Sequence, residues 1–215
     1  MLTMTKIYLS SPHMGGSEQK YVNDAFETNW IAPLGPHVDG FEEAIERYLN
    51  ENIYAAVLSS GTASIHMALQ LLGVGKGDAV LCQSFTFSAS ANPIVYQGAH
   101  PVFIDSETDT WNMCPKLLEI AIKDRIQKNK KPKAIIAVHL YGMPYKANEI
   151  NAIAKQYNIP VIEDSAEALG STYFGKKCGT LSDIGILSFN GNKIITTSGG
   201  GALIVKQPEL KQRAV

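Results

Sequence analysis

An α/β fold with a mainly parallel, mixed sheet flanked by helices is the class this sequence predicts, and three observations predict it. Short β-rich runs alternate with helical patterns of 10–15 residues, the signature of βαβ units. The runs are nearly all apolar, as expected of strands covered by helices on both faces. Polar, glycine-containing segments stand directly after several of the runs, where open α/β sheets place their ligands.

The elements follow in order. Residues 18–28 and 38–49 read as amphipathic helices; in the second, Phe41, Ile45, Tyr48 and Leu49 share one face at helical spacing. Residues 54–58 form an apolar run, followed by a helix over 62–72 that closes at Gly73 as a C-terminal cap. Residues 79–82 read as a strand, 88–96 as a helix and 101–104 as a strand. A longer helix over 115–128 ends in a basic patch, Lys128, Lys130, Lys131 and Lys133, read as a solvated helix end. Then come a strand at 134–139, a helix at 147–157 and strands at 160–163, 184–189 and 201–205. Only a short loop precedes the last strand, so it is expected to be antiparallel. No internal repeat or low-complexity tract interrupts the pattern. Residues 209–215 begin a helix and stop, so the chain is expected to belong to a longer protein.

Composition narrows the function. The 215 residues are 45% hydrophobic and 18% charged, with 19 basic against 20 acidic residues and a net charge of -1. This excludes a disordered chain and argues against electrostatic nucleic-acid binding. Cys82, Cys114 and Cys178 are far apart and odd in number, which argues against a disulfide framework. Residues 1–16 carry no continuous apolar stretch or cleavage-site pattern, and the longest apolar runs, such as 134–138, are far too short to span a membrane. A cytoplasmic protein without a membrane partner is the expectation.

Four segments carry candidate chemistry. Ser59-Ser60-Gly61-Thr62-Ala63-Ser64 joins a strand to a helix; its small residues and free helix-start amides suit an anion, or simply an N-cap. Asp164, in the run IEDSAE after a strand, could pair with a protonated ring nitrogen, a metal or a ribose, or cap a helix. No cluster of metal-ligand spacing accompanies it, and no metal is expected. Lys193, in SFNGNK just past an apolar strand and before a glycine run at 199–201, reads as an amine nucleophile or as part of a surface hairpin. Phe87 could stack on a planar ring or pack in the core. Gly73 to Gly77 only imitates a phosphate loop, since it follows a helix and fits no phosphate-binding pattern. His139 after its strand reads as a structural histidine. An anion cradle, an acid for a ring nitrogen, a stacking ring and an amine are together the parts that hold pyridoxal phosphate, whose ring acts as an electron sink.

In this order, SSGTAS, SFTFSASAN, VIEDSAEALGS and GILSFNGNKIITTSGGG resemble the DegT/StrS-type nucleotide-sugar aminotransferases, and the likeness extends to IYLSSPHMGGSEQKYV and NWIAPLGPHVDGFE. It implies the pyridoxal-phosphate-dependent fold-type-I transferase, here residues 1–215 as the cofactor-binding large domain with a smaller C-terminal domain lying beyond. The GNKIITTSGGG form is most similar to enzymes that aminate carbon 4 of a 4-keto-6-deoxy nucleotide sugar, as in UDP-N-acetylbacillosamine-type and GDP-perosamine-type synthesis. By position the resemblance implies Lys193 as the Schiff-base lysine and proton shuttle. It implies Asp164 at the pyridinium nitrogen, Phe87 on the ring face, and Gly61, Thr62 and Ala63 with the Ser188 hydroxyl at the phosphate. Glu167 stands where many members have Gln, facing the phenolic oxygen, so one partner of that hydrogen bond must carry a proton. Asn190 and Asn192 would shape the lysine loop, and residues 29–36 the sugar pocket. Glutamate is the implied amino donor, and a homodimer with a shared active site the implied assembly. Members that act as 3-dehydratases have His in place of the lysine; here Lys193 is present. A cofactor-binding module without catalysis is the alternative of a different class.

Overall fold

The computed structural model describes residues 11 and 13–215. The opening segment 1–16, with its expected lack of a leader and its share of the family likeness, therefore lies partly outside them.

The chain divides into two compact units, the first ending at Phe41 and the second running from Glu42 to Val215. The first contains α1 (Glu18–Glu27) and the start of α2 (Pro36–Leu49). α1 buries none of its residues. The unit is held by local contacts: His37 Nε2 lies 2.9 Å from an Asp24 carboxylate oxygen, and the Tyr21 and His37 rings meet edge to face. Gly35 (φ +139°) presses against the Trp30 ring so closely that a Cβ would stand 2.8 Å from it.

The second unit contains β1 (Tyr54–Leu58), α3 (Gly61–Leu71), β2 (Ala79–Gln83), α4 (Asn92–Tyr96), β3 (His100–Ile104), α5 (Pro115–Gln127), β4 (Ala134–Val138), α6 (Ala147–Tyr157) and β5 (Val161–Asp164). There follow β6 (Thr172–Tyr173), β7 (Lys176–Lys177), β8 (Ile184–Ser188), β9 (Gly201–Val205) and α7 (Pro208–Ala214). The sheet order is β1-β9-β8-β5-β4-β2-β3. As expected, β9 runs antiparallel to its neighbours β8 and β1, while the other pairs are parallel. The mainly parallel mixed sheet of the sequence analysis is the sheet found.

Alternation along the strands feeds two cores. Val80, Cys82, Ile136, Val138, Ile162, Ile184, Ile186, Leu203 and Val205 point to the face covered by α3, α4 and α7. Leu81, Ile135, Ala137 and Val161 point to the opposite face, with Leu118 and Ile122 of α5 and Ile150 and Ala154 of α6. Gly73 (φ +68°) follows the last turn of α3, where the sequence places a cap.

Four details depart from the sequence reading. The helix expected over 88–96 is a single 3-10 turn (Ser88–Ser90) followed by α4, because Pro93 has no N–H to continue a helix begun upstream and sits in the first turn of a new one. The fifth strand begins one residue later, at Val161, so that Asp164 ends the strand and pairs with Val138 and Ile186. Tyr48 does not join the buried face of Ile45 and Leu49; it stays exposed, with the Lys177 ammonium 3.9 Å above its ring. The β6–β7 hairpin carries no usual turn signature, for its left-handed positions are Phe174 (φ +47°) and Gly175 (φ +81°).

α2 protects the sheet edge at β1. The Glu46 and Glu42 carboxylates accept the outward N–H groups of Ala55 and Val57, each at 2.9 Å, and Lys211 of α7 lies 2.8 Å from Glu42 and 3.2 Å from Glu46. An exposed edge is thereby capped by side chains. Glu42→Ala should lower stability by about 1–3 kcal/mol, because the Val57 N–H loses its acceptor under the helix. A urea titration checks this, and an unchanged midpoint would refute the capping role.

Candidate active site

The carboxyl ends of β4, β5 and β8 open into a cleft with about 280 Å³ of free volume. Its walls include Gly61, Thr62, Phe87, Asp164, Glu167, Ser188 and Lys193, seven of the eight residues predicted to bind cofactor. Strand alternation explains the convergence. Val138, Asp164 and Ser188 end their strands on the α3 face, continuing the rows of Ile136, Ile162 and Ile186.

Ala63 is the exception. It does not line the cleft, and its amide donates to the Ser60 hydroxyl at 3.0 Å, the N-cap bond of α3. The expectation that Ala63 supplies an amide to an anion is therefore corrected. The amides left for a ligand are those of Gly61 and Thr62, which as first-turn groups have no partner within the helix. The cap reading of the SSGTAS run is thus realised by Ser60, and an anion would be left the amides of its neighbours Gly61 and Thr62. The cradle is tight. A Cβ on Gly61 would stand 2.9 Å from the Ser188 Cβ, and one on Gly201 would stand 2.3 Å from the Ser60 carbonyl carbon. Glycine is required at both places, so that the start of β9 can seat the start of α3.

Asp164 is 4% exposed. Its carboxylate accepts the Ser90 hydroxyl at 2.7 Å and the Ala166 amide at 3.2 Å. Burial raises the carboxyl above its ordinary value, against the opposing pull of these bonds and of the Lys193 charge. The Lys193 side chain is mostly buried, and its Nζ donates to Glu167 Oε1 at 3.3 Å. The other Glu167 oxygen accepts the Tyr141 amide at 2.8 Å. Phe87 is 73% exposed and presents its ring at the cleft wall rather than packing in a core. Asn190 and Asn192 also line the cleft, and the Asn190 side-chain amide donates to Asn192 Oδ1 at 3.0 Å.

The sequence analysis passed over Glu163. It faces the opposite side of the sheet from Asp164, is fully buried, and accepts five donors: His139 Nε2, the Ser165 hydroxyl, and the amides of Gly179, Leu181 and Ser182, at 2.6–3.2 Å. The His139 Nδ1 accepts the Tyr145 amide at 3.2 Å, which fixes the proton on Nε2, and its ring stacks on Tyr145 at 4.5 Å. Its reading as a structural histidine fits this place. Cys178 lies beside the pair, its thiol pushed up to about 12 by burial. Although His139, Glu163 and Cys178 could offer three ligand atoms to a metal, the histidine and the carboxylate are already engaged by these hydrogen bonds. An acidic residue beside the predicted aspartate, in a strand buried on both faces, was the available signal for the anchor.

The site can hold a planar, anionic, cation-bearing group. A phosphate suits the Gly61 and Thr62 amides with the Ser188 hydroxyl, and a protonated ring nitrogen would relieve the buried Asp164 charge. An aldehyde suits the Lys193 amine. Pyridoxal phosphate, the group implied by the sequence resemblance, fits these residues on chemistry.

A lysine, a buried aspartate and a helix start at the carboxyl end of this mixed, mostly parallel sheet place the chain in the fold-type-I class of pyridoxal-phosphate-dependent transferases. The chain belongs to the DegT/DnrJ/EryC1/StrS aminotransferase family, whose model matches residues 12–215. It is 58% identical over 199 residues to EpsN of Bacillus subtilis (strain 168), which bears the name of a pyridoxal phosphate-dependent aminotransferase; the match covers 93% of this chain and 51% of that protein. Identity to the GDP-perosamine synthase of Escherichia coli O157:H7 is 41% over 213 residues, covering 99% of this chain and 56% of the synthase. Among solved structures, Spr1654 of Streptococcus pneumoniae in its PLP form, which bears the name of a sugar aminotransferase, superposes with a TM-score of 0.88 at 31% identity, over 98% of this chain and 57% of that one. The chain thus spans about half the length of the curated relatives it matches. Among the described residues, no helix is long and apolar enough to cross a membrane.

Because its folded-state value is raised, the Asp164 carboxyl favours folding below about pH 4, its ordinary range, and that contribution is lost as pH rises through the folded value. At pH 7 the buried carboxylate therefore carries a cost that a neutral amide removes. Cofactor-free Asp164→Asn should match or exceed the parent chain in urea midpoint at pH 7, with the advantage gone below about pH 4, while cofactor affinity falls. A midpoint clearly below the parent's at pH 7 would contradict this account.

Proposed function

We propose that this chain is the cofactor-binding large domain of an aminotransferase that moves an amino group from glutamate to a 4-keto-6-deoxy nucleotide sugar. The product would serve surface-glycan or glycoprotein sugar synthesis. The single observation that carries the reading is the cleft in which the Lys193 amine and the buried Asp164 stand with the start of α3. The 41% identity to GDP-perosamine synthase supports a nucleotide-linked sugar as the acceptor, in keeping with the GNKIITTSGGG segment. We place the enzyme in the cytoplasm, as a homodimer whose partner completes the site. The domain assignment of residues 1–215 is part of the same proposal.

When bound, pyridoxal phosphate supplies an electron sink and an aldehyde for amine exchange. The chain's residues divide the remaining work. The Gly61 and Thr62 amides and the Ser188 hydroxyl bind the phosphate, aided by the dipole of α3. Asp164, held by Ser90 and the Ala166 amide, keeps the ring nitrogen protonated. Phe87, at the cleft wall, would pack against the ring and keep water from it. Lys193 holds the cofactor, then takes and returns the proton at its Nζ as general base and acid. Glu167, whose Oε1 accepts the hydrogen bond from that Nζ, is the adjacent carboxylate.

Lys193→Ala should abolish both borohydride-trappable cofactor and amino transfer; retention of both would refute the assignment. Visible absorbance on adding pyridoxal phosphate, then glutamate, separates catalysis from binding alone. A spectrum that responds to the first addition and not to the second would mark a binding module.

A further inference from the structure

We propose that Asn112 is a positioning residue for Lys193, acting through the turn 139–143, whose Tyr141 amide holds Glu167 against the lysine amine. The inference rests on the role given to Lys193 above.

Asn112 is fully buried and does not line the cleft. Its side-chain amide spans the turn from both ends. Oδ1 accepts the Leu140 amide at 3.0 Å, and Nδ2 donates to the Met143 carbonyl at 2.8 Å. A second buried amide fixes which way round it sits. Gln83, at the end of β2, donates its Nε2 to Asn112 Oδ1 at 3.2 Å and to the Phe85 carbonyl at 2.8 Å, and accepts the Met113 amide at 2.9 Å. Rotating the Asn112 amide would face donor to donor and acceptor to acceptor.

The turn needs this clamp. Tyr141 is a bulky residue at φ +51°, and its ring is 81% exposed, so packing of the ring does little to hold the conformation. Gly142 (φ +83°) passes so close to the Glu167 carbonyl that a Cβ would stand 2.9 Å from it, and its own carbonyl accepts the Ser171 hydroxyl at 2.7 Å. The strained geometry aims one group into the site. The Tyr141 amide donates to Glu167 Oε2, and Glu167 Oε1 faces Lys193 Nζ. Without the clamp the turn relaxes, the carboxylate loses its fixed donor, and the lysine nitrogen loses a counter-ion held in place.

The test is the pH midpoint of the visible band of pyridoxal phosphate bound in the full-length polypeptide. Besides the Lys193–Glu167 pair, the titratable groups about the site are Asp164, the Cys82 thiol near it, pushed up to about 12 chiefly by burial, and, on the other face of β5, Glu163 with His139. A fixed carboxylate favours the protonated nitrogen, so Asn112→Ala should move the midpoint down by about one pH unit. Glu167→Gln should move it the same way, and the double variant should show no further shift. A midpoint unmoved in Asn112→Ala while thermal stability falls would overturn the proposal, as would shifts that add in the double variant. If Asn112→Ala fails to fold, Ser171→Ala loosens the same turn from the other side. Its smaller downward shift should likewise vanish in the Glu167→Gln background, and its absence would count against the proposal. A visible band that survives Lys193→Ala would instead strike the underlying assignment of Lys193.

Discussion

The whole site hangs on the alternation of side chains at the carboxyl ends of three neighbouring strands. In a buried parallel sheet, successive residues must face opposite cores. At the end of β5 this forces two adjacent acids apart. Glu163 continues the row of Val161 toward α6, and Asp164 continues the row of Ile162 toward α3. The same rule sends Ser188 to the cleft behind Ile186 and His139 away from it behind Ala137. A one-residue slip in the register of β5 would exchange the two acids and leave the cleft with a carboxylate of different length and reach.

The two faces are also energetically unlike. On the α6 face, a buried carboxylate meets five donors, a neutral histidine has both nitrogens engaged, and the Tyr145 hydroxyl lies 2.6 Å from that of Ser182, which in turn bonds Asn151. Such a network is fully satisfied, the condition under which buried polar groups add rigidity rather than cost. On the α3 face, Asp164 has two donors and its carboxyl is raised by burial. The lysine has one carboxylate, and the first amides of α3 have no partner within the helix. Cost is concentrated where a ligand can relieve it, and the scaffold that bears it lies one residue away.

Most of the fold was legible because its signals are local. Apolar runs of four to six residues, separated by helical periods, marked every strand of the main sheet within one or two residues. Asp164, Lys193 and the SSGTAS run were legible because strand ends in such sheets are where ligands sit. Three things were not. The break in the 88–96 helix turned on the competition between a helical pattern and the missing N–H of Pro93. The engagement of Ala63 depended on Ser60 choosing the third amide beyond it, which spacing permits without requiring. Glu163, Asn112 and Gln83 act through contacts across 16–31 residues of sequence, and a buried amide or acid looks in sequence like any polar residue next to a loop.

Close approach of backbone completes the argument. A Cβ on Gly185 would stand 2.0 Å from the Gly179 carbonyl oxygen, and that on Gly201 would overlap the Ser60–Gly61 peptide. The first contact brings the 178–182 loop within reach of Glu163; the second seats the start of α3 on the strand that precedes α7. Both contacts are between backbone segments, which lack the rotamers by which a side chain could yield. The cradle and the anchor are therefore fixed to the sheet itself, while Lys193 and Phe87 stand on segments outside it. A rigid acid and a rigid anion cradle with a more adaptable amine between them is the division of stiffness that suits a group held at both ends and exchanged at its middle.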